Sequence, residues 1–450
     1  MSKSKAQFVC SACGASFAKW TGKCTSCGEW NTLVEEIVED AGGKTAIAQA
    51  RASGKKLDYV NINDIIPSDS NSRLKTGFPD LDAVLGGGFL LGSVSLLTGQ
   101  PGIGKSTLLM QVCAEIAKTN SVLYVSGEES AGQVKLRAER LGATAENFSF
   151  ANSTNTNDIA KTIESGEFDF VIIDSIQTLA ISEIASAPGN VSQVTNSGNL
   201  IIHAAKTSDT AVVIVGHVTK EGSLAGPKVL EHLVDVVINF EGDRYGGFKI
   251  IRAIKNRFGS TSEAAIYEMT EKGLREVKNP SAALLAERQN TDGSVILATL
   301  EGTRPILVEI QALATKTTFG YPNRTVSGFD LNRLKLLLAV LERRTKLTLS
   351  DQDIFVNIVG GLKVQDPAAD LAVCLAIASA VAGRKLDENT VVFGEVGLGG
   401  EIRSAFRPDQ RIAEAKKLGF THAIAPVSAK GGKFVHHVTD LRQTLIDYVK

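Results

Sequence analysis

The octapeptide Gly99-Gln100-Pro101-Gly102-Ile103-Gly104-Lys105-Ser106, followed by Thr107, constrains this 450-residue chain more than any other stretch. It fits G-x-x-x-x-G-K-[ST], the phosphate-cradling P-loop. Its flanks fit as well. Ser93-Val94-Ser95-Leu96-Leu97 reads as a short buried strand, and Leu108, Leu109, Val112, Cys113 and Ile116 recur at helical spacing. A strand, a glycine-rich turn and a helix N-terminus together aim backbone N–H groups and a dipole at a polyphosphate. Residues 99–107 then form the nucleotide cradle, with Lys105 at the β/γ-phosphates and the Ser106 hydroxyl on Mg²⁺.

The rest of the central region supports the same architecture. A turn-rich lead-in, residues 76–88, precedes the P-loop strand, and apolar runs at 122–125, 170–173, 211–215, 236–240 and 249–254 predict further strands. Several of these runs are continuous rather than alternating, as in a parallel sheet covered on both faces. Helical segments between them complete βαβ units, so the expected class is a doubly wound α/β core.

Polar residues close several of these strands. Asp174 ends Phe170-Val171-Ile172-Ile173 in the Walker B manner, where its carboxylate can hold the Mg²⁺ shell. Glu128 follows the strand after the P-loop helix and is placed to polarise a water attacking the γ-phosphate; Glu129 as the base, or both as a solvated turn, are the alternatives. His217 can sense the γ-phosphate or serve as a hydrogen-bonded strand end. Lys255 and Arg257, in Lys255-Asn256-Arg257-Phe258-Gly259, can reach phosphates of their own subunit or of a neighbour, or simply be solvated.

The first thirty residues hold four of the six cysteines, as Cys10-x-x-Cys13 and Cys24-x-x-Cys27 with ten residues between the pairs. Two such knuckles direct four thiolates at one ion, and four thiolates suit Zn²⁺. Disulfides or a redox pair fit a reducing compartment and the missing thioredoxin-like context less well. Trp20 and Trp30 flank the second knuckle and are expected to pack on its small core. Cys113 and Cys374 read as core residues.

Length predicts two to four domains. The net charge of −1 excludes a global basic field, so any nucleic-acid contact must be local. Met1-Ser2-Lys3-Ser4-Lys5 leads into the cysteines without an apolar signal region. The longest apolar stretch, 371–382, is too short to span a bilayer and reads as a buried helix. A cytoplasmic protein is expected.

These motifs, with Val171-Ile172-Ile173-Asp174-Ser175-Ile176-Gln177-Thr178, Gly216-His217-Val218-Thr219-Lys220 and Lys255-Asn256-Arg257-Phe258-Gly259, resemble the bacterial RadA (Sms) family, DNA-repair relatives of RecA and the DnaB helicases. The resemblance implies four parts. They are a four-Cys zinc finger at 1–35, a linker at 36–66, a RecA-like ATPase domain at 67–280 and a C-terminal α+β domain at 285–450 similar to the proteolytic domain of Lon. It implies a DNA-dependent ATPase using ATP, Mg²⁺ and Zn²⁺, acting in branch migration as a homo-oligomeric, hexameric ring. Single-stranded and branched DNA, the recombinase RecA and other recombination proteins are the implied partners. Lys255 and Arg257 would then act across a subunit boundary, and segments 181–199 and 220–228 would face DNA.

The Lon resemblance rests on Gly302-Thr303, Gly360-Gly361, Gly394-Glu395-Val396 and residues 412–415. In that frame the catalytic Ser falls on Ala368 and the Lys on Arg411. Alanine has no nucleophile and arginine stays protonated, so proteolysis is not expected. The domain would serve as a scaffold, with Arg343, Arg344 and Lys346 available to DNA. An ATP-dependent protease and an ATP-gated branched-DNA clamp without motor activity are the alternative readings. The missing dyad speaks against the protease; motor and clamp need the same parts.

Overall fold

Continuous apolar runs of the sequence become parallel strands buried on both faces. The computed structural model describes residues 4–39, 61, 63, 73–217, 225–242, 248–317 and 320–449. At the N-terminus, β1 (Ser4–Cys10) pairs antiparallel with β2 (Ser16–Phe17) and with β3 (Leu33–Glu39). Strand β3 runs on to Glu39, so the segment expected as linker begins as sheet; the rest of it, to residue 66, lies almost wholly outside the described residues. A short pair, β4 (Arg73–Leu74) and β5 (Phe89–Leu90), brackets the lead-in.

The nucleotide core comprises β6 (Val94–Gly99), β7 (Val122–Ser126), β8 (Phe148–Asn152), β9 (Phe170–Asp174), β10 (Ala211–His217) and β11 (Val236–Gly242). Their order in the sheet is β11-β6-β10-β9-β7-β8, and all the neighbouring pairs from β11 to β8 run parallel. Strand β10 separates the P-loop strand β6 from the Asp174 strand β9, so both present their C-terminal ends along one sheet edge. Every residue of β6, β7 and β9 is buried, which is why these stretches read as unbroken apolar runs. Helices Lys105–Ile116 and Val191–Ser208 follow the P-loop and the Asp174 strand. The second helix takes up the latter part of the segment 181–199: Asn190 caps it by accepting from Ser192 N and the chain is helical from Val191.

Contacts divide the chain into two units, Met1–Phe240 with Ala253–Ser260, and Glu241–Arg252 with Thr261–Lys450. The division falls within β12 (Lys249–Asn256). In the second unit the start of β12 pairs with β13 (Ala264–Thr270), and β13 with β14 (Gly273–Glu276). By contacts these strands group with the C-terminal unit.

The main sheet of that unit contains β15 (Ser294–Glu301), β16 (Arg304–Lys316), β17 (Arg324–Ser327), β18 (Gln352–Ile358) and β19 (Thr390–Val392). A small hairpin, β20 (Glu395–Val396) with β21 (Ile402–Arg403), precedes β22 (His422–Pro426) and β23 (Val435–Val438). Sheet order is β17-β18-β16-β15-β19-β22-β23, antiparallel at its centre and parallel towards β23. The apolar run at 371–382 is the helix Asp370–Ala382, buried from Asp370 through Ser379, as its composition required.

A buried guanidinium lies inside this unit. Arg411 is fully buried; its Nη1 is 2.6 Å from an Asp366 carboxylate oxygen and donates to Ala298 O at 2.6 Å, while Nε donates to Phe406 O at 3.0 Å. Asp366 also accepts from Thr299 Oγ1, Leu300 N and Ala368 N. Removing one partner of such a pair leaves a buried charge uncompensated. Arg411→Met should therefore lower the stability of the C-terminal unit by about 3–5 kcal/mol, read from its urea-unfolding midpoint. A loss under about 1 kcal/mol would mean that the pair does not hold the unit together.

Candidate nucleotide site and metal centre

The P-loop follows from the glycines. Gly99 closes β6 at φ 155°, and a Cβ there would lie 2.6 Å from Phe240 O, so no side chain fits. Gly102 and Gly104 sit at φ 77° and 118°, which turns the loop into the helix that starts at Lys105. Ile103 is buried and pins the loop to the core. Lys105 is 4% exposed, and its Nζ donates to Gly99 O at 2.8 Å and Gln100 O at 3.1 Å. Burial brings its ammonium down to about 8, against the opposing pull of Asp174 and Glu128.

Asp174 is the hub on the facing strand. Its Oδ2 accepts from Ser106 Oγ at 2.8 Å and from Tyr124 OH at 2.6 Å. The Ser106 hydroxyl and the Asp174 carboxylate, adjacent at the helix start, are the hard oxygen donors that Mg²⁺ takes, so the donor set fits that ion. Tyr124 was not legible as a site residue because it lies in an apolar strand run. The available signal was its hydroxyl, which in a buried strand must find a partner.

The structure separates the two candidate bases. Ser175 Oγ donates to Glu128 Oε1 at 2.6 Å, and His217 Nε2 lies 3.6 Å from the same oxygen. Glu129 instead makes a two-pronged pair with Arg137, its Oε2 accepting from Nη1 at 2.7 Å. Gly127 sets this divergence: a Cβ there would lie 2.4 Å from Thr178 Oγ1, so only glycine lets the turn pack on the chain after β9. Burial lowers His217, as does Lys105, while Glu128 and Asp174 raise it; the net shift is downward and favours the neutral ring. Lys105, Ser106, Glu128, Asp174 and His217 are thus brought together.

Lys255 and Arg257 are engaged within their own chain. Lys255 Nζ donates to the carbonyls of Glu231, His232 and Val234 at 2.9, 3.1 and 2.7 Å, at the end of helix Ala225–Leu233. Arg257 Nη1 donates to Asp235 Oδ1 at 2.9 Å. Asn256 Nδ2 donates to Val84 O, and Phe258 O accepts from Arg73. Both cations have partners in their own chain, while the Arg257 side chain stays half exposed. Of the segment 220–228, residues 220–224 lie outside the described residues and the remainder opens that helix.

In the N-terminal module the four cysteine Sγ atoms lie within 4.8 Å of one another. The Cys10–Cys27 and Cys13–Cys24 separations are both 3.7 Å. Zn–S bonds of about 2.3 Å in a tetrahedron put sulfurs about 3.8 Å apart, so the cage fits zinc. Burial opposes ionisation of Cys10, yet Thr32 and the Ala12 and Cys13 backbone bring it down to about 6. The Glu29 backbone favours the Cys27 thiolate, but burial and the crowding thiols push it up to about 12. The cage therefore needs a cation before all four can ionise. Trp20 and Trp30 are 55% and 67% exposed, which corrects their expected packing on the metal core. That core is Cys10, Cys24 and Leu33 with Phe8, Ala12 and Phe17; the indoles lie instead over the bare Gly22.

Residues 8–35 match the family described as a rubredoxin metal binding domain, 65–223 the AAA domain family and 315–429 the family of subunit ChlI of Mg-chelatase. The chain is 48% identical over 434 residues to DNA repair protein RadA of Bacillus subtilis, covering 96% of this chain and 94% of that protein. It is 46% identical to DNA repair protein RadA of Pseudomonas aeruginosa and 44% identical to that of Aquifex aeolicus, each over 99% of both chains. The chain belongs to the RadA family. Its four-Cys site is a zinc site, and its core is that of an ATP-binding P-loop ATPase. Among the described residues no helix is long and apolar enough to cross a membrane.

The C-terminal unit of this RadA-family chain keeps the Lon-like frame without its reactive groups. Ala368 is buried, and Arg411 is caged by Asp366, Ala298 and Phe406. A cleft of about 540 Å³ borders Pro367, and in it Arg333 is tied to Asp370. Arg343 and Arg344 are exposed, in a wide turn, Leu341–Thr345, that ends helix Leu331–Val340; Lys346 follows it, exposed too.

Stripping the metal with a chelator, or Cys10→Ser, should unfold the N-terminal module while the ATPase core keeps its melting transition, read by circular dichroism and nucleotide binding. A single shared loss of both would make the zinc integral to the core. A second outcome follows from Lys105. Phosphate raises an ammonium that burial holds near 8, so nucleotide binding takes up a proton once the pH passes about 8. Affinity should be flat below that pH and fall by up to about tenfold per unit above it. Calorimetry in buffers of different ionisation enthalpy detects the uptake, and none at alkaline pH would mean that Lys105 is already charged there.

Proposed function

We propose that this chain is a DNA-dependent ATPase of DNA repair and homologous recombination, processing branched intermediates and driving branch migration after strand invasion. The observation that carries the reading is the convergence of Lys105, Ser106, Asp174 and Glu128 at one sheet edge, within a chain of the RadA family. Lys105 would hold the β/γ-phosphates, and Ser106 with Asp174 would hold Mg²⁺. The ion supplies positive charge against the β- and γ-oxygens. Glu128, steadied by Ser175 and beside a neutral His217, would take the proton from the attacking water.

ATP hydrolysis would be coupled to DNA within a homo-oligomeric, hexameric ring. Lys255 and Arg257 would complete a neighbour's site, leaving the Val234 carbonyl and the Asp235 carboxylate to do so. Single-stranded and branched DNA would be contacted by residues 181–199, by the segment 220–228 and by Arg343, Arg344 and Lys346. RecA and other recombination proteins would be the partners at the branched intermediate. The C-terminal unit would act as a scaffold without proteolysis, because Ala368 offers no nucleophile and Arg411 no base.

The test is ATP-dependent extension of a RecA-made three-strand branch, compared with unwinding of a simple duplex. Extension is expected with wild type and none with Lys105→Ala. Arg257→Ala mixed into wild type should poison turnover out of proportion to its share. Tight ATP-dependent retention of branched DNA without extension would favour the clamp, and proportionate dilution would rule out catalysis across subunits.

A further inference from the structure

We propose that Tyr124 is a positioning residue for the Mg²⁺ site, its hydroxyl fixing the Asp174 carboxylate in the orientation that receives the ion. This rests on the ATPase reading and adds to it a residue outside the P-loop and Walker B motifs. In the parallel register of β7 and β9, Tyr124 lies opposite Ile172 and Ser126 opposite Asp174. Side chains two apart share a face of a strand, so Tyr124 and Asp174 emerge on the same side of the sheet.

The hydrogen bonding on that side is asymmetric. Asp174 Oδ2 takes both the Tyr124 hydroxyl at 2.6 Å and the Ser106 hydroxyl at 2.8 Å. Two donors occupy both lone pairs of that oxygen, which leaves Oδ1 as the oxygen free to serve the ion. The donors come from different elements, the P-loop helix and β7, so the carboxylate cannot rotate without breaking one bond. Ser106 must serve the ion and the carboxylate together, whereas Tyr124 serves the carboxylate alone.

A purely structural role explains less. Strands β7 and β9 are already joined along five paired positions, 122 to 126 with 170 to 174, and do not need the hydroxyl to stay together. The hydroxyl is nevertheless fully desolvated and aimed at the carboxylate that adjoins the Ser106 hydroxyl. Partners of this kind around metal-binding carboxylates set ion affinity.

Tyr124→Phe keeps the ring and removes the bond. Manganese affinity of the nucleotide complex, read by electron paramagnetic resonance, should weaken about tenfold or more. The Mg²⁺ concentration for half-maximal binding of a fluorescent ATP analogue should rise with it. Binding of the analogue without metal should stay unchanged, and turnover should return at high Mg²⁺. The titrations are made in the cold, below each variant's melting transition. Unchanged ion affinity overturns the proposal, and a lowered melting temperature with unchanged ion affinity assigns Tyr124 a structural role only. Absence of Mg²⁺-dependent nucleotide binding in wild type would instead sink the ATPase reading.

Discussion

A single carboxylate oxygen joins the parts on which this molecule depends. Asp174 Oδ2 receives the first helical hydroxyl after the P-loop and a phenol from a buried strand. The phosphate cradle, the ion site and the sheet are therefore one rigid object at that point. Because β10 lies between the two strands that carry these groups, no local contact between β6 and β9 could hold them in place. The hydrogen bonds across the sheet edge do so instead. Precision of this kind is what positioning in phosphoryl transfer requires, since the protein contributes orientation and charge rather than covalent chemistry.

Much of this could be read from residue order alone, for physical reasons that differ from element to element. The P-loop strand and helix were legible because glycine, lysine and serine at fixed spacing leave few alternatives, and burial on both faces writes strands as unbroken apolar runs. The cysteine cage was legible because thiolate pairs at knuckle spacing encode their own geometry. Tyr124 was not, since a hydroxyl inside an apolar run gives no hint of which carboxylate it meets. Glu128 and Glu129 are chemically identical neighbours; their separation depends on Gly127 packing against Thr178 and on Arg137 a full helix turn or more away. The partners of Lys255 and Arg257 lie well back in the chain, so their occupation within one subunit needed the fold. The exposure of Trp20 and Trp30 shows the opposite error, in which large apolar residues beside a metal core were credited to it although they lie largely in solvent.

The two ends of the chain solve the problem of burying charge by different means. At the N-terminus four thiols share one cage and require an external cation. In the C-terminal unit the cation is built in: Arg411 occupies the interior permanently, held by Asp366 and two carbonyls. A lysine at that position would carry one donor centre where the guanidinium supplies several in a plane. Arg411 is therefore a strut of the fold.

Lys255 has a mechanical consequence. Its ammonium grips three carbonyls at the end of helix Ala225–Leu233, where the helix dipole is negative. An α-helix advances about 1.5 Å per residue, so even a one-residue slide of that helix would break the grip. The lysine therefore fixes the helix end axially against the strand that carries it: the two must shift together, or all three bonds must part.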